Sequence, residues 1–262
     1  MQIAGARTLI TGASGGIGAE LARRLASEGA ELILTGRRAD ILESLASELG
    51  AQAIVSDLTQ PEAPDHLLAA TGRVDILIAN AALPGTGRVA TLEVEHIDRA
   101  LAVNLRAPIV LAKGVIPQMT ERGSGHLVFI GSLSSKAATA GSSIYNATKF
   151  GLRGFALALR AELAATGVGV SLILPGFVSA AGLYADAVRL PPGIATRRPD
   201  QVAEMLVRAI RENRGEVSVA PLTLRAGASF ASLAPELAAR AARLAGADRV
   251  ARDFERRQAD KR

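Results

Sequence analysis

The 262-residue chain contains no cysteine and no tryptophan. The missing cysteines exclude disulfides, thiolate nucleophiles and cysteine-ligated zinc, and leave the cytoplasm as the default expected compartment. Histidine is almost as scarce: His66, His96 and His126 are scattered, with no second histidine at ligand spacing, so no metal site is expected. Aromatic residues make up 3% of the chain, and only four of its 30 basic residues are lysines (Lys113, Lys136, Lys149, Lys261). With so few rings to stack bases, the formal charge of +5 does not indicate a nucleic-acid partner. Long apolar runs are missing too. The longest, Val168 to Leu174 (VGVSLIL), is strand-sized, and no signal-peptide core precedes Gly12, so neither a transmembrane segment nor a leader is expected.

What is present fits a globular chain, 49% hydrophobic and 21% charged. Residues 1–220 carry 21 basic and 20 acidic side chains, a net of +1, whereas residues 221–262 carry 9 and 5, a net of +4. The body is therefore balanced and the excess charge sits at the end. We read residues 1–220 as one domain and 221–262 as a helical extension.

Short apolar runs alternate with segments of helical period, the pattern of β-α-β units feeding a parallel sheet. The expected strands are Arg7 to Ile10, Glu31 to Thr35, Gln52 to Val55, Val74 to Ile78, His126 to Ile130, Val170 to Leu174 and Glu216 to Val219. Seven strands with intervening helices predict a Rossmann-like, doubly wound α/β sheet, with ligands beyond the carboxyl ends of the strands. Asp40 precedes one helix, Pro199 and Asp200 open another, and a long helix from Thr91 to Val115 carries Pro108 as a possible kink. Residues 180–198 break the rhythm with Gly182, Pro191, Pro192 and Gly193, and read either as a mobile connection over a site or as a surface loop. In the tail, Phe230, Leu233, Leu237, Ala241 and Leu244 lie near helical spacing with Pro235 at a break.

The first strand runs into Thr11-Gly12-Ala13-Ser14-Gly15-Gly16-Ile17-Gly18 and then a helical pattern. A glycine turn between a strand and a helix N-terminus brings unpaired N–H groups and the positive end of the helix dipole to a pyrophosphate, and missing β-carbons let the backbone approach it. Taken alone, such a turn also fits an ordinary loop. The T-G-x-x-x-G-x-G spacing after the first strand resembles the short-chain dehydrogenase/reductase family, and the likeness extends over roughly residues 4–220.

That resemblance implies a nicotinamide dinucleotide, with Gly12, Ser14, Gly16, Ile17 and Gly18 around its phosphates. Many NAD-using members have an acid at the end of the second strand. Here Gly36 stands in that place, followed by Arg37 and Arg38, whose planar cations suit a 2′-phosphate and imply NADP(H); both arginines also fit solvated helix-entry charges. Asp57 and Leu58 resemble the pair the family places near adenine. Ala79-Asn80-Ala81-Ala82 departs from the family's Asn-Asn-Ala-Gly, keeping Asn80 and Ala81 and implying loss of a strand-stabilising amide. Pro175 and Val178 resemble the turn beside the nicotinamide, while the family's Thr is replaced by Ala180.

Tyr145 and Lys149 lie four residues apart in a helical segment and so share a face. An ammonium about 5 Å from a phenol, at an effective dielectric of ~20, contributes roughly 3 kcal/mol, or about two pKa units, toward the phenolate. The pair by itself also fits chance packing. Ser132 follows the fifth strand, 13 residues before Tyr145, a separation typical of the family; the resemblance makes it the donor that orients a carbonyl. Asn104 matches the family's fourth member, implied to hold a water that relays protons to Lys149.

The expectation is an enzyme transferring hydride between NADP(H) and a carbonyl or secondary alcohol, with Asn104, Ser132, Tyr145 and Lys149 as the catalytic set. The competing reading is a sensor or scaffold that binds NADP(H) without turnover. The resemblance places the substrate pocket mainly in residues 180–198 and near Leu83 to Arg88; there Leu183, Tyr184, Val188 and Leu190 suggest an apolar substrate, though loop leucines equally fit the core, and the resemblance implies a homodimer or homotetramer. The tail reads as packing on the body, covering the substrate cleft or making an oligomer contact ahead of a weaker reading, a basic amphipathic helix docking on a membrane surface.

Overall fold

The alternation of apolar runs and helical segments is realised as a single sheet. The computed structural model describes residues 1–179 and 195–244. Its strands are β1 (Arg7–Thr11), β2 (Glu31–Gly36), β3 (Gln52–Val55), β4 (Ile76–Ala79), β5 (Gly125–Ile130), β6 (Val168–Pro175) and β7 (Glu216–Val219). They pair in parallel in the order β3-β2-β1-β4-β5-β6-β7. Every residue of β5 and β6 is buried, which explains why these strands are near-continuous apolar runs rather than alternating ones.

The helices among the described residues are α1 (Gly16–Ser27), α2 (Ala39–Leu49), α3 (Ala63–Thr71), α4 (Val94–Leu101), α5 (Ala107–Glu121), α6 (Ser143–Glu162), α7 (Pro199–Glu212), α8 (Leu222–Leu233) and α9 (Pro235–Leu244). Leu21, Leu25, Leu42, Leu206 and Ile210 from α1, α2 and α7 form one core. Leu67, Leu111, Val115, Leu152 and Leu159 from α3, α5 and α6 form the other. Each fully buried leucine contributes on the order of 2 kcal/mol, and the two layers seal both faces of the sheet. Strand order reverses between β1 and β4, which opens a crevice beyond their carboxyl ends.

Two boundaries differ from the sequence reading for visible reasons. Val74 lies outside β4 because its N–H donates to Gln118 Oε1 at 3.3 Å and its carbonyl accepts from Arg122 at 2.9 Å, which ties it to the end of α5. The predicted single helix from Thr91 is a 3₁₀ turn (Val89–Thr91), α4, a π turn (Ala102–Arg106) and α5. Pro108 has no N–H to offer the Asn104 carbonyl one α-turn back, and just before it the ladder widens, Ala107 N–H bonding to Ala102 O.

The helical stretch Val94–Glu121 is, contrary to the sequence reading, long and apolar enough to cross a membrane by length and composition alone, with mean hydropathy 1.4. Its Ala107, Leu111, Ala112, Val115 and Met119 are nevertheless packed in the second core. Among the described residues of the tail, two helices break at Ala234, just before Pro235, where the sequence placed the break.

Candidate active site

The glycine turn is built by close approach. Gly12 has φ +66°, and a β-carbon there would lie 2.8 Å from Ala81 Cα. At Gly18 it would lie 2.2 Å from the Gly12 carbonyl oxygen, so only glycine lets α1 start against the turn. Thr11 and Asn80 clasp this turn to β4. Thr11 Oγ1 accepts from the N–H groups of Asn80 and Ala81, both at 3.0 Å, and the Asn80 amide donates to the carbonyls of Thr11 (3.0 Å) and Gly12 (3.2 Å). Asn80, which the family motif keeps, thus ties the turn to β4, and Ala79 adds no amide to it.

These elements line a cleft of about 620 Å³ at the sheet's switch point. Gly12, Ser14, Gly16, Ile17, Gly18, Arg37, Arg38, Asp57, Leu58, Asn80 and Ala81 form one end; Ser132, Tyr145, Lys149, Pro175 and Val178 form the other. The lining fits a dinucleotide by its own geometry. The first turn of α1 has no side-chain cap, leaving its N–H groups to face the cleft, and Thr35 Oγ1 in the cleft wall is buried without a hydrogen-bond partner. At Gly36 a β-carbon would lie 2.7 Å from Ser14 Oγ, so any larger residue there would have to turn the Ser14 hydroxyl aside. Arg37 and Arg38 are exposed at the rim, and Arg38 donates to the Ser14 carbonyl. Asp57 accepts from the Thr59 N–H at 3.1 Å, which closes the loop after β3.

At the other end, Tyr145 and Lys149 share the buried face of α6. Lys149 Nζ donates to the Ile130 carbonyl at 2.9 Å and lies 5.7 Å from the Tyr145 ring centroid. Burial pushes the Lys149 ammonium down to about 8, so it keeps its proton at neutral pH. A charge at such a separation stabilises a phenolate by on the order of 3 kcal/mol at an effective dielectric of ~20. Ser132 caps the short 3₁₀ turn Leu133–Ser135, its Oγ accepting from Ser134 N–H at 3.1 Å. That bond occupies an acceptor site and leaves the hydroxyl hydrogen to be donated. Ser135 is fully buried, its Oγ accepting from Ser132 N–H, so it does not substitute for Ser132.

Asn104 stands apart from the other predicted residues. It is fully buried behind the cleft wall, accepting from Leu83 N–H (2.7 Å) and donating to Leu83 O (2.9 Å) and Thr148 Oγ1 (3.3 Å). Its side chain thus fixes the loop after β4 against the residue preceding Lys149.

Three further residues position the site and were given no role in the sequence reading. Thr11 forms the clasp described above. Asn146, beside Tyr145, donates to the carbonyls of Ser134 (2.9 Å) and Ala137 (3.1 Å) and accepts from Thr139 N–H (3.2 Å), stapling the Ser132 turn to α6. Glu216 accepts from Lys136 at 2.5 Å and Arg153 at 2.6 Å, joining the end of that same turn to α6 through β7. Burial alone would raise the Glu216 carboxyl, but the bonds from Lys136 and Arg153 outweigh it and hold it below the usual range. Sequence adjacency to Tyr145 was the only signal for Asn146; Glu216 had none. The predicted pocket residues Leu183, Tyr184, Val188 and Leu190, and Ala180, lie outside the described residues.

Known proteins are similar to this chain in sequence and fold. The family model for short chain dehydrogenases matches residues 6–187. An uncharacterized oxidoreductase of Staphylococcus aureus (strain MRSA252) is 33% identical over 225 residues, covering 82% of this chain and 96% of its own length. Among solved structures, a short-chain dehydrogenase from Sphingobium yanoikuyae in complex with NADPH superimposes with a TM-score of 0.75 at 31% identity, covering 83% of this chain and 88% of that one. A 3-ketoacyl-(acyl-carrier-protein) reductase from Brucella melitensis complexed with NADH gives 0.74 at 27% identity, covering 83% and 97%.

Proposed function

Because this chain belongs to the short-chain dehydrogenase family and is therefore an oxidoreductase, we propose that it interconverts a carbonyl compound and a secondary alcohol using NADP(H). The observation that carries the reading is the convergence of Ser132, Tyr145 and buried Lys149 on one end of a cleft whose other end is a glycine-lined cradle. A nicotinamide cofactor, when bound, supplies or accepts the hydride. The Ser132 hydroxyl donates to the substrate oxygen and orients it. Tyr145 gives its proton to that oxygen as negative charge develops there, and takes it back in the oxidative direction. Lys149 stabilises the phenolate left behind, while its bond to the Ile130 carbonyl fixes the ammonium in place. Asn104 acts through Leu83 and Thr148, holding the wall against which Lys149 is set.

NADP(H) rather than NAD(H) is supported by the lack of a carboxylate at Gly36 and by Arg37, exposed at the cleft rim, while Arg38 holds the Ser14 turn that either cofactor would meet. The related structure holding NADPH is consistent with this choice, although the reductase holding NADH shares the fold. Self-association into a dimer or tetramer is supported by Phe150 and Leu157, which are exposed two helical turns apart on the outer side of α6. Consumption of NADPH, followed by absorbance across a panel of aldehydes and ketones, tests the activity. Turnover of at least one carbonyl is expected; tight cofactor binding with no consumption across the panel would instead establish a sensor or scaffold.

A further inference from the structure

Helices α8 and α9 pack on each other, and α8 abuts the Leu133–Ser135 turn, yet most of their apolar side chains face outward. On α8, Ala228 is buried and Leu224 and Ala231 are half-buried, which defines the side turned to the body. The opposite side carries Leu222, Ala226, Phe230 and Leu233 at i, i+4, i+8 and i+11, a continuous helical stripe. Leu222 is 75% exposed, Phe230 49% and Leu233 86%. α9 repeats the pattern with Leu237, Ala241 and Leu244, of which Leu244 is 91% exposed. Surface leucines scattered singly need no explanation, but two consecutive helices with apolar stripes do.

The charges beside the stripes narrow the choice of partner. Arg225, Arg240 and Arg243 flank them, all exposed, against the single acid Glu236. The remaining sequence, residues 245–262, adds six basic and four acidic side chains. A second copy docking symmetrically on this face would bring three arginines of each chain together with one glutamate apiece to offset them, which like-charge repulsion disfavours. A surface that is itself anionic and fluidly apolar accepts both features, since leucine and phenylalanine enter the acyl boundary while arginines meet the phosphates. We propose that α8 and α9 form a membrane-docking surface that holds this protein against bilayers rich in anionic phospholipid. Seated there, the inward side of α8 keeps the Ser132 turn about one helix diameter, ~10 Å, from the lipid.

Vesicle flotation of the full-length protein tests this with phosphatidylcholine vesicles, with and without phosphatidylglycerol. The parent protein is expected to float with the anionic vesicles, and to bind neutral ones at least about tenfold more weakly. The triple variant L222S/F230S/L233S is expected to lose at least about tenfold in partitioning, and R240E/R243E to lose the anionic preference. High salt is expected to weaken binding of the parent, because the phosphate contacts are screened. Both variants are expected to keep the parent's melting temperature and its reduction of a water-soluble carbonyl, since the substituted side chains touch neither core nor cleft. Failure of the parent to float, or flotation unchanged in both variants, would overturn the proposal. So would a parent that is oligomeric by light scattering, binds no vesicles and becomes monomeric in the triple variant, which would make the surface an interface between copies.

Discussion

Arg37 and Arg38 are adjacent in sequence but differently engaged, and this separates their expected effects. Arg38 is spent on the Ser14 carbonyl, part of the turn that any dinucleotide would meet. Arg37 lines the same rim, exposed, with no hydrogen bond or ion pair to another described residue. If Arg37 receives the 2′-phosphate, Arg37→Ala removes a charge-assisted hydrogen bond worth about 1.5–3 kcal/mol in shielded surroundings. Solvent exposure reduces that to roughly 1–2 kcal/mol. The expected loss in kcat/KM for NADPH is then about 5- to 30-fold, with NADH changed by less than about twofold. Arg38→Ala should instead lower both cofactors together by loosening the Ser14 turn. The assay is steady-state kinetics of each variant with NADPH and NADH at one saturating carbonyl substrate. An Arg37→Ala enzyme that loses equally with both cofactors, or loses nothing with NADPH, would refute the assignment of Gly36 and Arg37 as the 2′-phosphate seat.

Three other outcomes follow from the geometry. Glu216→Gln releases Lys136 and Arg153 from their shared carboxylate, and is expected to lower kcat about three- to tenfold while the KM for NADPH stays constant; a change confined to thermal stability would reduce Glu216 to a structural role. His126 is buried against Ser171 Oγ at 2.8 Å, and burial pushes its imidazole down to about 3 from 6.5, so the unfolded chain takes up more protons between those values. Unfolding free energy should therefore fall as pH drops below about 6.5, by about 2 kcal/mol from this residue at pH 5, and urea titrations of His126→Gln should lack that share of the slope. Phe150→Glu combined with Leu157→Glu should shift the protein to a smaller assembly by light scattering, and an unchanged mass would place any self-association elsewhere.

The sheet was legible in the sequence because its central strands are buried on both faces and its turns need glycine. Gln52–Val55 and Glu216–Val219 coincide with their predicted limits, and the ends of the other strands shift by one or two residues, at the start of β4 because Gln118 and Arg122 take the backbone groups of Val74. Of the cleft residues, the glycine turn was legible from its place between strand and helix, and Tyr145 and Lys149 share a helix face by period; Ser132, Asp57, Leu58, Asn80, Ala81, Pro175 and Val178 were legible by family likeness. The residues that hold these elements together were not. Thr11, Asn146 and Glu216 act across gaps of 7 to 80 positions, on partners such as Asn80, Thr139 and Lys136, and nothing local marks a carboxylate on the last strand as the anchor of a turn after the fifth. Asn104 was found by likeness, but its burial against Leu83 and Thr148 follows from a π turn set beside Pro108 that periodicity does not reveal.

The central claim is that a phenol held beside a buried ammonium moves the proton. It is tested most directly by Tyr145→Phe, measured for NADPH affinity by fluorescence titration and for single-turnover carbonyl reduction in the same preparation. Retained affinity, within about threefold, with a fall in rate of at least about a hundredfold is the predicted result. Reduction at the parent rate by the phenylalanine enzyme would contradict it.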